Sequence, residues 1–205
     1  MRLYLIRHGE SGGNAGTDHS DDPALTERGW RQAKLVAQAL ADEGIEALRA
    51  SPLTRALETA SEISATLGLS ISAWPDLAEK WGSRCDVVTR SDIVRRWPEV
   101  ILPADMPERW WPEKLPEDEP AAYVRAARVE EAMRRRFEAT EARVALVGHG
   151  TFGAILMSRF LGAPPCGSTR FSQSNCCISV IEVLPGRAKM VFQNRTAHLP
   201  ANLIT

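Results

Sequence analysis

The chain has 205 residues, 44% hydrophobic and 25% charged, with 25 basic side chains against 26 acidic ones and a formal charge of −1. That length suits one domain, and the balanced charge offers no basic field to draw in nucleic acid. No apolar run reaches the roughly 18 residues of a membrane span, and no cationic segment with a long apolar stretch precedes the first strand. A cytoplasmic protein with neither a membrane nor a nucleic-acid partner is therefore expected.

The first apolar run, Leu3, Tyr4, Leu5 and Ile6, reads as a buried strand. Arg7, His8, Gly9 and Glu10 follow it directly, with Ser11 and Asn14 a few residues on. Thr26 is placed to cap a helix running to about residue 43, with Trp30, Ala33, Val36, Ala37 and Leu40 along one face and Gly44 as terminator. Residues 45–50 read as a short strand. Ser51 as N-cap and Pro52 as first helical residue then open a helix that ends near Gly68 and carries Arg55 in its first turn. A short strand is expected over 69–74.

The rhythm breaks between Gly82 and Pro120. Prolines at 98, 103, 107, 112, 116 and 120 rule out a long helix there, and only 91–96 leaves room for a short one. Five of the six tryptophans lie from Trp74 to Trp111. This segment reads either as an irregular excursion packed on the core or as a lid, with Trp81, Trp110 and Trp111 as apolar walls for a substrate.

Pro120 opens a helix over about 121–138, whose Arg134, Arg135 and Arg136 read as a solvated face. Residues 144–147 form a second buried strand, ending in Gly148, His149, Gly150 and Thr151. A helix over 152–161, closed by Gly162, comes next. Two late strands, 176–184 and 188–194, turn at Pro185 and Gly186. The cysteines, 85, 166, 176 and 177, have no C-x-x-C spacing and read as reduced, with Cys176 and Cys177 facing opposite sides of a strand. Strands alternating with helices predict an α/β three-layer sandwich, a mainly parallel central sheet flanked by helices. The expected organisation is one domain over 1–205, with 82–120 as an inserted, lid-like segment.

Ligands of open α/β sheets collect beyond the carboxyl ends of the strands. Two histidines and two arginines stand at such ends: Arg7 and His8, Arg55, and His149. Guanidinium groups and helix N-termini both suit phosphate. A neutral imidazole is nucleophilic near neutral pH, and neighbouring arginines disfavour its protonation.

These segments resemble the histidine phosphatase superfamily, the phosphoglycerate-mutase-like fold. The resemblance is carried by Arg7 to Ser11 with Asn14, by Leu25, Thr26, Glu27, Arg28 and Gly29 with Gln32 and Ala33, and by Ser51, Pro52, Leu53, Arg55, Ala56, Thr59 and Ala60. Gly148, His149 and Gly150 add to it. Weaker matches come at 175–178 and at Asn194, Thr196, His198 and Leu199. It implies that His8 is the nucleophile and becomes phosphorylated. It implies that Arg7, Arg55 and His149 hold the phosphoryl oxygens, with Asn14 and Gly150 in the same pocket. Glu79, after Leu77 and Ala78, is the implied proton donor, and Asp76 and Asp86 are the other acids nearby. The expected activity is metal-independent hydrolysis of a small phosphorylated substrate, with no cofactor. The alternatives are a phosphoglycerate-type phosphomutase and a non-catalytic phospho-ligand binding module on the same fold.

Overall fold

A strand covered on both faces shows no alternation in its sequence, which is why Leu3 to Ile6 form an unbroken apolar run. In the computed structural model, which describes residues 1–80, 86–111, 116–164 and 171–205, they form β1 (Arg2–Arg7). Leu3 and Leu5 pack into the core on one side of the sheet, Tyr4 and Ile6 into the core on the other. In chain order there follow α1 (Gly12–Ala15), α2 (Glu27–Leu40), β2 (Ala47–Ala50), α3 (Thr54–Leu67), β3 (Ile71–Ala73), α4 (Arg90–Arg96) and β4 (Val100–Ile101). Then come α5 (Glu119–Phe137), β5 (Arg143–Gly148), α6 (Gly150–Phe160), β6 (Ile178–Leu184) and β7 (Arg187–Arg195).

Among the described residues the strands form one seven-stranded sheet in the order β4-β3-β2-β5-β1-β6-β7. The first five of that order run parallel; β6 and β7 are antiparallel additions at one edge. The apolar stripes of α2 (Ala33, Val36, Leu40) and α3 (Ala56, Leu57, Ile63) cover one face. Those of α5 (Ala126, Val129, Met133) and α6 (Phe152, Leu156, Phe160) cover the other. This is the three-layer α/β sandwich that the alternation of elements predicts. Among the described residues no helix is long and apolar enough to cross a membrane.

Three local expectations differ from the structure. The N-cap of α3 is Leu53, which makes no side-chain cap bond. Ser51 sits too far upstream to cap the helix, and Asp22 from a distant loop takes that part, accepting from Thr54 N at 2.9 Å and Thr54 Oγ1 at 2.8 Å. Cys176 and Cys177 precede β6 rather than belonging to it. Cys176 is held at φ +53°, and its N–H is drawn to the Arg7 carbonyl at 3.0 Å. Cys85 and Cys166 lie outside the described residues.

The third difference concerns the tryptophan and proline segment. Its described part is built into the domain: β4 pairs with β3 at the sheet edge, and Val88, Ile93, Trp97, Val100, Met106 and Trp110 enter the core beside α3. Trp110 is 6% exposed and donates from Nε1 to the Val88 carbonyl at 2.7 Å. Trp111 packs edge-on against it, ring centroids 5.6 Å apart. The reading of Trp110 and Trp111 as lid walls is thereby corrected. Rings of that size, on a segment whose prolines allow only the short α4 and β4, bury their area against the neighbouring core. Trp81 lies outside the described residues.

Candidate active site

The site is built where three adjacent strands end. Arg7 pairs with Gly148 and Ala50 with Val147, so the next residues, His8, His149 and Ser51, leave the sheet side by side. His8 N donates to the Gly148 carbonyl and Ser51 N to the Val147 carbonyl, each at 3.0 Å. The two imidazoles come to 5.1 Å between centroids.

The partners of His8 fix its tautomer. Its Nδ1 lies 2.7 Å from the Gly9 carbonyl, which can only accept. Its Nε2 receives the Arg55 Nε–H at 3.2 Å. The proton therefore sits on Nδ1 and the lone pair on Nε2. The ring is 3% exposed. Burial, then the charges of Arg55 and Arg7, push its pKa well below the ordinary 6.5. His149, 1% exposed, is likewise lowered by burial and by Arg55, and its Nε2 lies 2.8 Å from Ser51 Oγ. Both imidazoles are thus neutral at neutral pH.

Arg7 and Arg55 carry the positive charge. Arg7 Nη1 donates to the Gln173 carbonyl at 2.6 Å, and its Nε lies 3.4 Å from where a Cβ on Gly150 would stand. Arg55 is opposed by Asp22 at 3.5 Å, an ion pair without a hydrogen bond. Arg7 Nε, Arg55 Nη1 and His149 Nδ1 are buried and have no hydrogen-bond partner among the described residues. A buried polar group left without one costs about 1–3 kcal/mol, and an oxyanion would satisfy such nitrogens.

An open cleft of about 820 Å³ adjoins this cluster. Arg7, Asn14, Glu79 and Gly150 line it, together with Lys80, Glu119, Ile155 and Phe171. Asn14 Oδ1 is engaged by Ser11 N and Asn175 Nδ2, each at 3.2 Å, which leaves the amide NH₂ as the group it offers to the cleft. Glu79 stands at the N-terminus of α6. Its Oε1 accepts from Phe152 N at 2.7 Å and Lys80 N at 2.8 Å, and its Oε2 from Thr151 N at 3.2 Å. Asp76 instead pairs with Arg128 at 2.7 Å, and the Asp86 main chain is tied to Asp21. Of the three acids, Glu79 is the one that lines the cleft.

Sequence reasoning passed over several residues that hold this arrangement. Asp22 backs Arg55. Ser51, expected as a cap, faces His149. Arg125, 3% exposed on α5, donates to the carbonyls of Asp76, Ala78 and Glu79 and pairs with Glu117, so it clamps the turn that presents Glu79. Gln173 Nε2 donates to the Gly150 carbonyl at 2.7 Å. Asn175 and Ser51 had a signal, their places in the matched motifs; Asp22, Arg125 and Gln173 carry none in periodicity or spacing.

The chain belongs to the histidine phosphatase superfamily, branch 1, whose family model matches residues 3–196. A protein of Photorhabdus laumondii that carries the name probable phosphoglycerate mutase is 32% identical over 192 residues, 89% of this chain and 85% of the relative. The alpha-ribazole phosphatase of Shigella flexneri superposes with a TM-score of 0.72 at 26% identity, covering 95% of this chain and 96% of that one. A phosphoserine phosphatase of Entamoeba histolytica, solved with phosphoserine, shares the fold with a TM-score of 0.73 at 21% identity over 97% of this chain and 99% of that one.

Proposed function

We propose that this protein hydrolyses phosphomonoesters through a phosphohistidine on His8. The observation that carries the reading is the His8 Nε2 lone pair, held beside Arg55 on a neutral imidazole at the end of β1. Nε2 attacks phosphorus, a P–N bond forms, and the P–O bond to the alcohol breaks. Glu79, in its protonated form, gives its proton to the leaving alkoxide. Water then attacks the phosphohistidine, Glu79 takes the proton back, and the P–N bond breaks to release inorganic phosphate and restore His8. Arg7, Arg55 and the neutral His149 stabilise the oxygens in both steps; most catalysis of phosphoryl transfer is such positioning and charge stabilisation. The scheme routes no step through a metal ion.

The cleft supports hydrolysis over transfer between two hydroxyls of a doubly anionic sugar acid. Among the described lining residues the cations are Arg7 and Lys80, and both face a site that also holds Glu79 and Glu119. Beyond the phosphate, Ala154, Ile155 and Phe171 offer apolar contact, which favours a moderately bulky, partly apolar alcohol. The mutase reading is supported by the name of the curated relatives, and a single experiment separates the two. Chelator-treated protein is offered a panel of phosphomonoesters that includes 3-phosphoglycerate, with phosphate release and isomer formation both measured. Quenched samples are analysed for phosphohistidine by mass spectrometry. Hydrolysis is expected, with label on His8 and its loss in His8→Ala. Isomerisation without phosphate release, label elsewhere, or a chelator-sensitive rate restored by a divalent ion overturns the proposal.

A further inference from the structure

Two buried side-chain amides hold the main chain around His8. Asn175, 2% exposed, donates from Nδ2 to the His8 carbonyl at 2.9 Å. Gln32, fully buried, accepts with Oε1 from Glu10 N at 2.7 Å. The peptide between these two anchors belongs to Gly9. Its carbonyl is the group that receives His8 Nδ1, and its N–H is held by Thr59 Oγ1 at 3.0 Å. The direction in which Nε2 points is therefore set by a stretch of backbone clamped at both ends by amides.

An amide serves in this way only in one of its two orientations. A single hydroxyl joins the two and adds to the orientation that the Leu203 carbonyl gives Gln32 and Asn14 Oδ1 gives Asn175. Thr205 Oγ1 accepts from Gln32 Nε2 at 2.9 Å and donates to Asn175 Oδ1 at 3.2 Å. One donor and one acceptor function are used, and their polarity matches the two amides it joins. Main-chain bonds hold the tail in place for this: Asn175 N donates to the Thr205 carbonyl at 2.8 Å, and Gln32 Nε2 to the Leu203 carbonyl at 2.7 Å.

We infer that Thr205 is a positioning residue for phosphoryl transfer, its hydroxyl orienting Gln32 and Asn175 and, through them, the His8 imidazole. This rests on the phosphohistidine reading. Thr205 touches neither the cleft nor the reacting atoms. Loss of its hydroxyl takes one bond from each amide and loosens both, so the Gly9 peptide and the nucleophile are held less firmly on the attack line. Arg55 and His149, at the start of α3 and the end of β5, lie outside this network and stay where they are.

The test is Thr205→Val, which keeps shape and the main-chain bonds, beside Thr205→Ser, which keeps the hydroxyl. Thr205 is exposed, so neither change disturbs the core. Rapid-quench kinetics on an aryl phosphate report the rate and the amplitude of phosphohistidine formation. For Thr205→Val the rate is expected to fall by about three- to tenfold, the worth of one hydrogen bond, with KM and burst amplitude unchanged; Thr205→Ser restores the rate. A Val variant as fast as wild type, a Ser variant as slow as Val, or a loss confined to the amplitude overturns the inference while leaving the reaction intact. A wild-type protein that forms no phosphohistidine overturns the reaction and this inference together.

Discussion

Replacing Glu79 by Gln separates the role proposed for it, as proton donor, from the one the structure shows, as acceptor of main-chain N–H groups at the start of α6. A Gln that keeps its carbonyl oxygen at the Oε1 position retains the two shortest bonds, from Phe152 N and Lys80 N, and loses the 3.2 Å bond from Thr151 N. Thr151 is exposed, so water replaces the lost partner and the cost is about 1 kcal/mol or less. Removing a negative charge from the helix N-terminus adds about 0.3–1 kcal/mol. The sum, at most about 2 kcal/mol, corresponds to a Tm lower by no more than about 8 °C for a chain of this size. The catalytic effect is much larger and depends on the leaving group. An alkyl phosphate needs the proton, so its turnover should fall about 100- to 10,000-fold. A nitrophenyl phosphate, whose phenolate leaves unprotonated, should lose far less. The assay is kcat on both substrates with wild type and Glu79→Gln, alongside a thermal melt. Equal losses on the two esters, or an unchanged alkyl rate, would refute the assignment and leave Glu79 as a structural anchor of α6.

Protonation of His8 and His149 is opposed by the fold, so the unfolded chain binds more protons below pH 6.5. Stability is complete above that value and should fall as pH drops through it, by up to about 1.4 kcal/mol per pH unit for each histidine. Melts from pH 7 to 5 should show a shallower slope for His8→Asn than for wild type; identical slopes would contradict the buried, neutral imidazole. Trp110→Ala should cost about 3–5 kcal/mol of stability through the cavity it leaves, without raising KM, whereas Phe171→Ala should raise KM for a bulky phosphoester and not for a small one. A Trp110 variant with normal Tm and raised KM would restore the lid. Gly29→Ala places a Cβ 2.1 Å from the Glu10 carbonyl, backbone against backbone. It should lower the denaturation free energy by about 3 kcal/mol or more, and a wild-type urea midpoint would show that α2 and the loop after β1 separate freely.

Much of the architecture is legible in the chain because its causes are local. The continuous apolar runs of β1 and β5 announce strands buried on both faces. Thr26 capping α2 and Gly68 closing α3 in the left-handed region mark helix ends by chemistry within a few residues. The same local signals put Arg7, His8, Arg55 and His149 at strand and helix ends, and the parallel sheet then brings them together. Other features depend on partners far along the chain, which no period or cap specifies. Asp22 stands against Arg55, Arg125 closes on the turn before Glu79, and Trp110 belongs to the core rather than to the cleft. Leu203 and Thr205 meet Gln32 across more than 170 residues of sequence. The sequence by itself determines the elements and the residues at their ends, since backbone hydrogen bonding and side-chain periodicity act within a turn or two. The tertiary structure alone decides which buried charge or amide meets which partner, because each buried polar group is satisfied only by what packing brings within about 3 Å of it.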